Sequence, residues 1–175
     1  DILTAAGTAE GIVDKDDPQR VRVCVPDPRN LEQDIQLTID GRNWTCDYLD
    51  TGVPHAITYV DNVDAVDVPY WGKRIRRHPT FAPQGVNASF VEIEQEGELA
   101  IRTYEFGVEG ETLACGTGCA AAAVVTALQH GWAEAYTRGR KPVTTRTRSG
   151  DELLIWFVYH GDANVTDVCL ESRVR

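Results

Sequence analysis

A cysteine set among glycines is the part of this sequence best suited to chemistry. Residues 110–118 read Gly-Glu-Thr-Leu-Ala-Cys-Gly-Thr-Gly, and an alanine-rich run follows at once. Residues 116–130 predict a helix because they have high helix propensity and because Gly131 is suited to end it. The free N–H groups at a helix start bind anions, and their partial positive charge favours a thiolate. Cys115 is therefore predicted to be an activated thiol that moves a proton beside a bound carboxylate.

Three other interpretations of this segment are open. An unpaired cysteine is often a small buried apolar residue, which is the simplest alternative. Gly116-x-Gly118-x-x-Ala121, with Glu134 further on, matches the relaxed dinucleotide-binding fingerprint, which requires a buried parallel strand directly before it. A metal-binding pair is the third alternative, because Cys115 and Cys119 lie four residues apart and could share a helix face, but no further ligands cluster nearby in the sequence.

The surrounding elements are predicted to be strands wrapped on that one helix. The helix is apolar nearly all round, which is typical of a buried helix. Alternating apolar residues bounded by turn signals predict strands, and a short helix ended by Pro79 is expected over residues 70–78. The predicted strands cover residues 21–25, 35–39, 44–48, 56–60, 88–93, 99–104, 143–147, 153–159 and 165–170. The fold class is therefore α+β, a mixed and mostly antiparallel sheet or barrel around a central buried helix.

Composition narrows the classes of function. The formal net charge of −10 argues against non-specific nucleic-acid binding, and no apolar run approaches the length of a membrane span. Five cysteines, an odd number, without a visible secretory signal predict reduced thiols and a cytoplasmic location. The sequence contains no methionine, so we interpret it as a piece of a longer protein.

Several motifs together resemble the diaminopimelate epimerase family. Residues 110–118 are similar to the family's second catalytic-cysteine motif. Three further stretches resemble it in the same order: Gly52-Val-Pro-His55 with Val60-Asp-Asn-Val-Asp64, His78-Pro-Thr-Phe81 with Gly85-Val-Asn87, and Arg102-Thr-Tyr-Glu-Phe-Gly-Val-Glu-Gly-Glu-Thr112. The resemblance runs from about residue 50 to residue 131, and only the combination of these motifs is specific.

The resemblance implies a cofactor-independent epimerase that converts LL-diaminopimelate to meso-diaminopimelate in lysine biosynthesis. One cysteine thiolate removes the α-proton, and a second cysteine returns a proton on the opposite face. Neither PLP nor a metal is implied. The family's first cysteine motif is absent here, so residues 1–175 are interpreted as a single domain, the C-terminal lobe, which alone should be inactive. The expected partners are an amino-acid substrate and the N-terminal lobe, with a homodimer as a further option.

The resemblance also assigns roles to particular residues. The positions carried over are Cys115 as the acid/base, Glu105 and His55 as neighbours that tune thiol protonation, and Asn87, Gly116 and Thr117 as substrate contacts, the last two through backbone N–H groups. Without the resemblance, Asn87 reads as a turn residue, Glu105 as a solvated charge and His55 as a loop residue.

Two positions depart from the family pattern. Val53 stands where the family has Asn, and Phe106 stands where it has Arg, and both family residues hold the distal end of the substrate. Valine offers no hydrogen bond, and phenylalanine cannot replace a bidentate guanidinium. Either other residues compensate, or the enzyme acts on a different amino acid with a less polar distal group. A lobe that keeps the fold for binding without catalysis is a further alternative.

Overall fold

The computed structural model describes residues 2–4 and 7–173 of the chain. Strands make up most of the regular structure in this part. The strands are β1 (Ile2–Thr4), β2 (Gly7–Val13), β3 (Arg20–Cys24), β4 (Arg29–Ile39), β5 (Arg42–Asp50), β6 (Pro54–Tyr59), β7 (Asn87–Gln95), β8 (Glu98–Glu105), β9 (Gly110–Thr112), β10 (Val143–Arg146), β11 (Glu152–Gly161) and β12 (Asn164–Arg173). The α-helices are α1 (Val68–Arg76), α2 (Gly116–Gln129) and α3 (Glu134–Thr137).

The strands form one mixed sheet in the order β1-β2-β3-β12-β11-β10-β8-β7-β6-β5-β4, with β9 paired to β8. Neighbouring strands run antiparallel except at two places, where β6 pairs with β7 and β10 pairs with β8 in parallel. A parallel pair needs a crossover connection. The segment from residue 60 to residue 86, which includes α1, makes that crossover between β6 and β7. The α+β class predicted from the sequence is confirmed.

The central helix α2 is buried along most of its length, as its composition predicts. Every residue from Gly118 to Ala127 is buried. Together with inward-facing side chains of the sheet, among them Ile57, Leu99 and Phe157, it forms one apolar core. Four consecutive alanines, residues 120–123, keep the helix narrow, so the strands around it pack closely. No helix in the described part of the chain is long and apolar enough to cross a membrane.

A second apolar core lies under α1. The Asp67 side chain accepts a hydrogen bond from the Tyr70 N–H and so caps the start of this helix. Gly72 then packs directly against the Tyr104 side chain, where a Cβ atom at residue 72 would lie 2.4 Å from the tyrosine Cβ. Other members include Trp44, Phe90 and further buried residues of the sheet.

The prediction that all five cysteines are reduced is wrong for two of them. Cys24 and Cys169 form a disulfide between β3 and β12, and they face each other directly in the antiparallel pair. They lie 145 residues apart in sequence, so the pairing depends on a long-range strand register that the local pattern does not reveal. Cys46, Cys115 and Cys119 are free.

Candidate active site

The ends of three strands and one helix meet around Cys115. His55 and Asn87 are Cα partners at the starts of the parallel strands β6 and β7. Because β8 runs antiparallel to β7, with Ala88 opposite Tyr104, the C-terminal end of β8 at Glu105 lies beside the starts of β6 and β7. Cys115 is the N-cap residue of α2 and has extended backbone angles. Sheet register therefore gathers these side chains from distant parts of the sequence.

The Cys115 thiol is half-buried and has a hydroxyl neighbour. Its Sγ atom lies 3.6 Å from the Thr117 Oγ1 atom. The side chain turns over the first turn of the helix, since a Cβ atom at Gly118 would lie 3.2 Å from Sγ and 3.4 Å from the His55 Cε1 atom. The contact with the sulfur would be tighter than side chains normally make, and the contact with the imidazole would be an ordinary van der Waals contact. Glycine at 118 therefore lets the sulfur and the imidazole approach the same point.

The protonation of Cys115 differs from the expectation for a thiol at a helix start. Burial, together with the nearby Glu105 carboxylate, raises its pKa to about 12. The Thr117 hydroxyl and the Gly118 amide favour the thiolate but do not offset these effects on the pKa. The prediction of a lowered thiol pKa is therefore wrong for this structure, in which Cys115 is a thiol at neutral pH.

His55 is wholly buried and neutral. Burial lowers its pKa to about 3, because the imidazolium would lose its hydration. Its Nε2 atom lies 3.1 Å from the Thr117 Oγ1 atom, while Nδ1 is buried without a hydrogen-bond partner among the described residues. His55 thus reaches the thiol through Thr117.

Glu105 and Asn87 are both held by neighbouring groups of the protein. The Glu105 Oε1 atom accepts a hydrogen bond of 2.6 Å from the Thr112 hydroxyl. The Asn87 Oδ1 atom accepts one of 2.7 Å from the backbone N–H of Phe106. Asn87 is almost completely buried. Asn87 therefore fixes the turn that carries Glu105.

The backbone N–H groups of Gly116 and Thr117 open α2. No hydrogen bond within the described residues occupies either of them. The first N–H groups of a helix lack intrahelical partners and favour anions. The Thr117 carbonyl oxygen accepts a hydrogen bond of 3.3 Å from the buried Thr51 hydroxyl, which fixes this turn against the end of β5.

The two departures from the family pattern, Val53 and Phe106, lie next to the strand ends that surround Cys115. Val53 is half-buried in the turn before β6. Phe106 is 42% exposed, and the Arg76 guanidinium lies over its ring, 4.2 Å from the centroid. Arg76 comes from the end of α1, far from residue 106 in sequence. Sequence reasoning missed Arg76, Thr51 and Thr112, of which only Thr112 lies in a segment with a readable motif.

The dinucleotide-binding alternative for the helix start is not supported. The strand before it, β9, pairs antiparallel with β8, whereas a dinucleotide fingerprint follows a buried parallel strand. No group of three or more His, Cys, Asp or Glu side chains in the described residues could hold a metal ion.

Solved structures define the class of fold. A probable proline racemase from Agrobacterium radiobacter K84 superposes with a TM-score of 0.70 at 19% identity, covering 98% of this chain and 56% of that one. A hydroxyproline epimerase from Agrobacterium vitis gives a TM-score of 0.68 at 17% identity, covering 98% of this chain and 55% of that one. The fold is therefore one that racemases and epimerases use.

Sequence comparison narrows this class to one family. The family model described as diaminopimelate epimerase matches residues 48–168. The diaminopimelate epimerase of Aquifex aeolicus is 41% identical over 142 residues, 79% of this chain and 47% of that protein. That of Chlorobaculum tepidum is 42% identical over 160 residues, 90% of this chain and 56% of that protein. The chain belongs to the diaminopimelate epimerase family, and it spans about half the length of these relatives.

Proposed function

We propose that this chain is the C-terminal lobe of a two-lobe, cofactor-independent epimerase that inverts an amino acid at Cα. The observation that carries the proposal is the first turn of α2, where the Cys115 thiol and the unoccupied N–H groups of Gly116 and Thr117 lie together. A carboxylate bound by those N–H groups would place its α-carbon beside the sulfur. The partner lobe would supply the second cysteine.

The protonation state of Cys115 favours a role as the acid in one direction of the reaction. The partner lobe's thiolate removes the α-proton, and the Cys115 thiol gives its proton to the opposite face of the resulting carbanion. One proton leaves carbon, one proton arrives, and no electrons are exchanged with a cofactor. Cys115 ends as the thiolate, so the reverse reaction begins from it. The high pKa of Cys115 suits the donor state before turnover.

LL-diaminopimelate is the proposed substrate, with meso-diaminopimelate as the product. The distal amino-acid group of this substrate needs a positively charged partner. Phe106 cannot supply one, but the Arg76 guanidinium lies over the Phe106 ring. The Arg76 Nε atom is 3.1 Å from the Glu109 carboxylate and Nη1 is 3.2 Å from the Gln84 carbonyl oxygen. Arg77 shares the same carboxylate, so two guanidinium groups face one carboxylate. This local excess of positive charge supports a substrate with a second anionic group.

The test of the reaction uses the full-length protein that contains this lobe. In D₂O, LL-diaminopimelate should gain deuterium at Cα as meso-diaminopimelate forms, followed by NMR. Cys115→Ser should lower the rate by about 10³-fold, because a hydroxyl is a far weaker acid than a thiol. Cys46→Ala, which changes a free cysteine in the other core, is the matched control. Equal rates for Cys115→Ser and the wild type would refute the role of Cys115.

Two further measurements separate the lobe and substrate proposals. The 175-residue chain alone should not invert LL-diaminopimelate, and turnover by it would refute the two-lobe mechanism. In the full-length protein, Arg76→Gln should raise KM for LL-diaminopimelate about tenfold, because a charged hydrogen bond is lost. Arg140→Gln, at an exposed arginine paired with Glu134 outside this cluster, is the control. An unchanged KM in Arg76→Gln would favour a substrate with an uncharged distal group.

A further inference from the structure

One oxygen atom connects the buried His55 side chain with the half-buried Cys115 side chain. The Thr117 Oγ1 atom lies 3.1 Å from His55 Nε2 and 3.6 Å from Cys115 Sγ. The residue is also held from its backbone, because the Thr51 hydroxyl donates to its carbonyl oxygen. The hydroxyl therefore has a fixed position between imidazole and sulfur.

Burial of His55 decides which way the hydrogen bonds run. A neutral imidazole carries one hydrogen, on either Nε2 or Nδ1. The Nδ1 atom is buried without a partner among the described residues. A hydrogen on Nδ1 would leave a buried N–H donor unpaired, whereas a hydrogen on Nε2 is used in a bond to Thr117. The Nε2–H form is therefore favoured, and it donates to the Thr117 oxygen.

With that oxygen accepting from His55, the Thr117 hydroxyl hydrogen is free to point at the sulfur. We propose that Thr117 is a positioning residue. Its hydroxyl accepts a hydrogen bond from His55 Nε2–H, which polarises the hydroxyl, and donates one to Cys115 Sγ, which stabilises the thiolate left after proton transfer. Among these groups only the S–H bond of Cys115 breaks, and a C–H bond forms on the substrate. The thiol proton goes to the substrate carbon, the hydroxyl hydrogen stays on Oγ1, and the imidazole hydrogen stays on Nε2.

The packing around Gly118 holds the Cys115 sulfur and the His55 ring in fixed relative positions. A Cβ atom there would lie 3.2 Å from Sγ and 3.4 Å from His55 Cε1, so sulfur and ring converge over a residue without a side chain. The His55 ring is wholly buried and Cys115 is half-buried, and a hydrogen bond to a thiolate is stronger in such a site than in solution. The arrangement is thus built before any substrate arrives.

The test uses the 175-residue chain and needs no turnover. Iodoacetamide reacts with the thiolate, so the rate of alkylation of Cys115, read by peptide mass spectrometry between pH 7 and pH 10.5, reports thiolate formation. Thr117→Val keeps the branched shape and the backbone N–H but removes the hydroxyl. It should slow alkylation at a given pH about tenfold, which corresponds to a rise of about one unit in the thiol pKa. Thr117→Ser should stay within about threefold of the wild type.

A second measurement applies to the wild type and does not depend on the folding of a variant. The ¹⁵N chemical shifts of the His55 ring distinguish the two neutral tautomers. A hydrogen on Nε2 is expected, and a hydrogen on Nδ1 would overturn the proposal. Equal alkylation profiles for Thr117→Val and the wild type, with both folded by circular dichroism, would also overturn it.

The role in turnover depends on the proposed function, but these two measurements do not. In the full-length enzyme, Thr117→Val should lower kcat about tenfold with little change in KM, and Thr117→Ser should restore kcat. A fall in kcat together with a comparable rise in KM would indicate altered substrate binding and would count against the positioning role. If the full-length protein fails to epimerise while the alkylation and NMR results hold, the proposed function fails and the link through Thr117 stands.

Discussion

A fall in pH should destabilise the folded chain through one buried histidine. His55 has a pKa lowered from 6.5 to about 3 by burial. Above pH 6.5 the residue is neutral in both the folded and the unfolded chain and contributes no pH dependence. Between pH 6.5 and about 3 the unfolded chain binds a proton that the folded chain excludes, so the free energy of unfolding falls as the pH falls. Each pH unit is worth about 1.4 kcal/mol, so a fall to pH 5.0 costs about 2 kcal/mol.

Urea unfolding followed by the fluorescence of the four tryptophans would measure this loss at pH 7.5 and pH 5.0. Other groups also titrate in this range, so the informative quantity is the difference between variants. His55→Gln should lose about 2 kcal/mol less than the wild type between the two pH values. His160→Gln, at an exposed histidine, should behave like the wild type. If His55→Gln and the wild type lose equal stability, His55 does not stay neutral in the fold.

Two further predictions concern stability. Reduction of the disulfide between Cys24 and Cys169, which closes a loop of 145 residues, should lower the free energy of unfolding by about 5 kcal/mol in the chain-entropy model. Urea titrations with and without reductant would measure this, and an unchanged midpoint would contradict it. Gly72→Ala should cost about 3 kcal/mol, because its Cβ would lie 2.4 Å from the Tyr104 Cβ. Gly110→Ala, with nothing within 4 Å, should be near neutral in the same titration, and similar losses in the two variants would show that crowding at residue 72 is not the cause.

The central helix and the fold class could be predicted because both depend on local pattern. Residues 116–130 are apolar nearly all round, and a helix with that composition is stable only inside a core, where α2 lies. Alternation of apolar residues likewise identified strands at residues 21–25 and 35–39, which became parts of β3 and β4. Short elements such as β9 and α3 were not predicted, because three or four residues carry too little pattern.

Features that depend on register or on burial could not be predicted from the sequence. Cys24 and Cys169 face each other only because β3 pairs with β12. The helix start at Cys115 is visible in the sequence, but the carboxylate of Glu105 reaches it from the end of β8, and that charge adds to burial in raising the thiol pKa. Arg76 and Phe106 are far apart in sequence and come into contact only in the folded chain. In each case the decisive neighbour comes from another element.

The parallel pairing of β6 with β7 has a consequence for how this family can change in length. His55 and Asn87 are matched across that pair by strand register, whatever the length of the connection between them. Residues inserted or deleted in exposed parts of the crossover, such as residues 82–84, leave that match intact. A single deletion inside either strand shifts the alternation by one and turns the following side chains to the opposite face. Length variation among homologues should therefore concentrate between these strands and avoid their first residues.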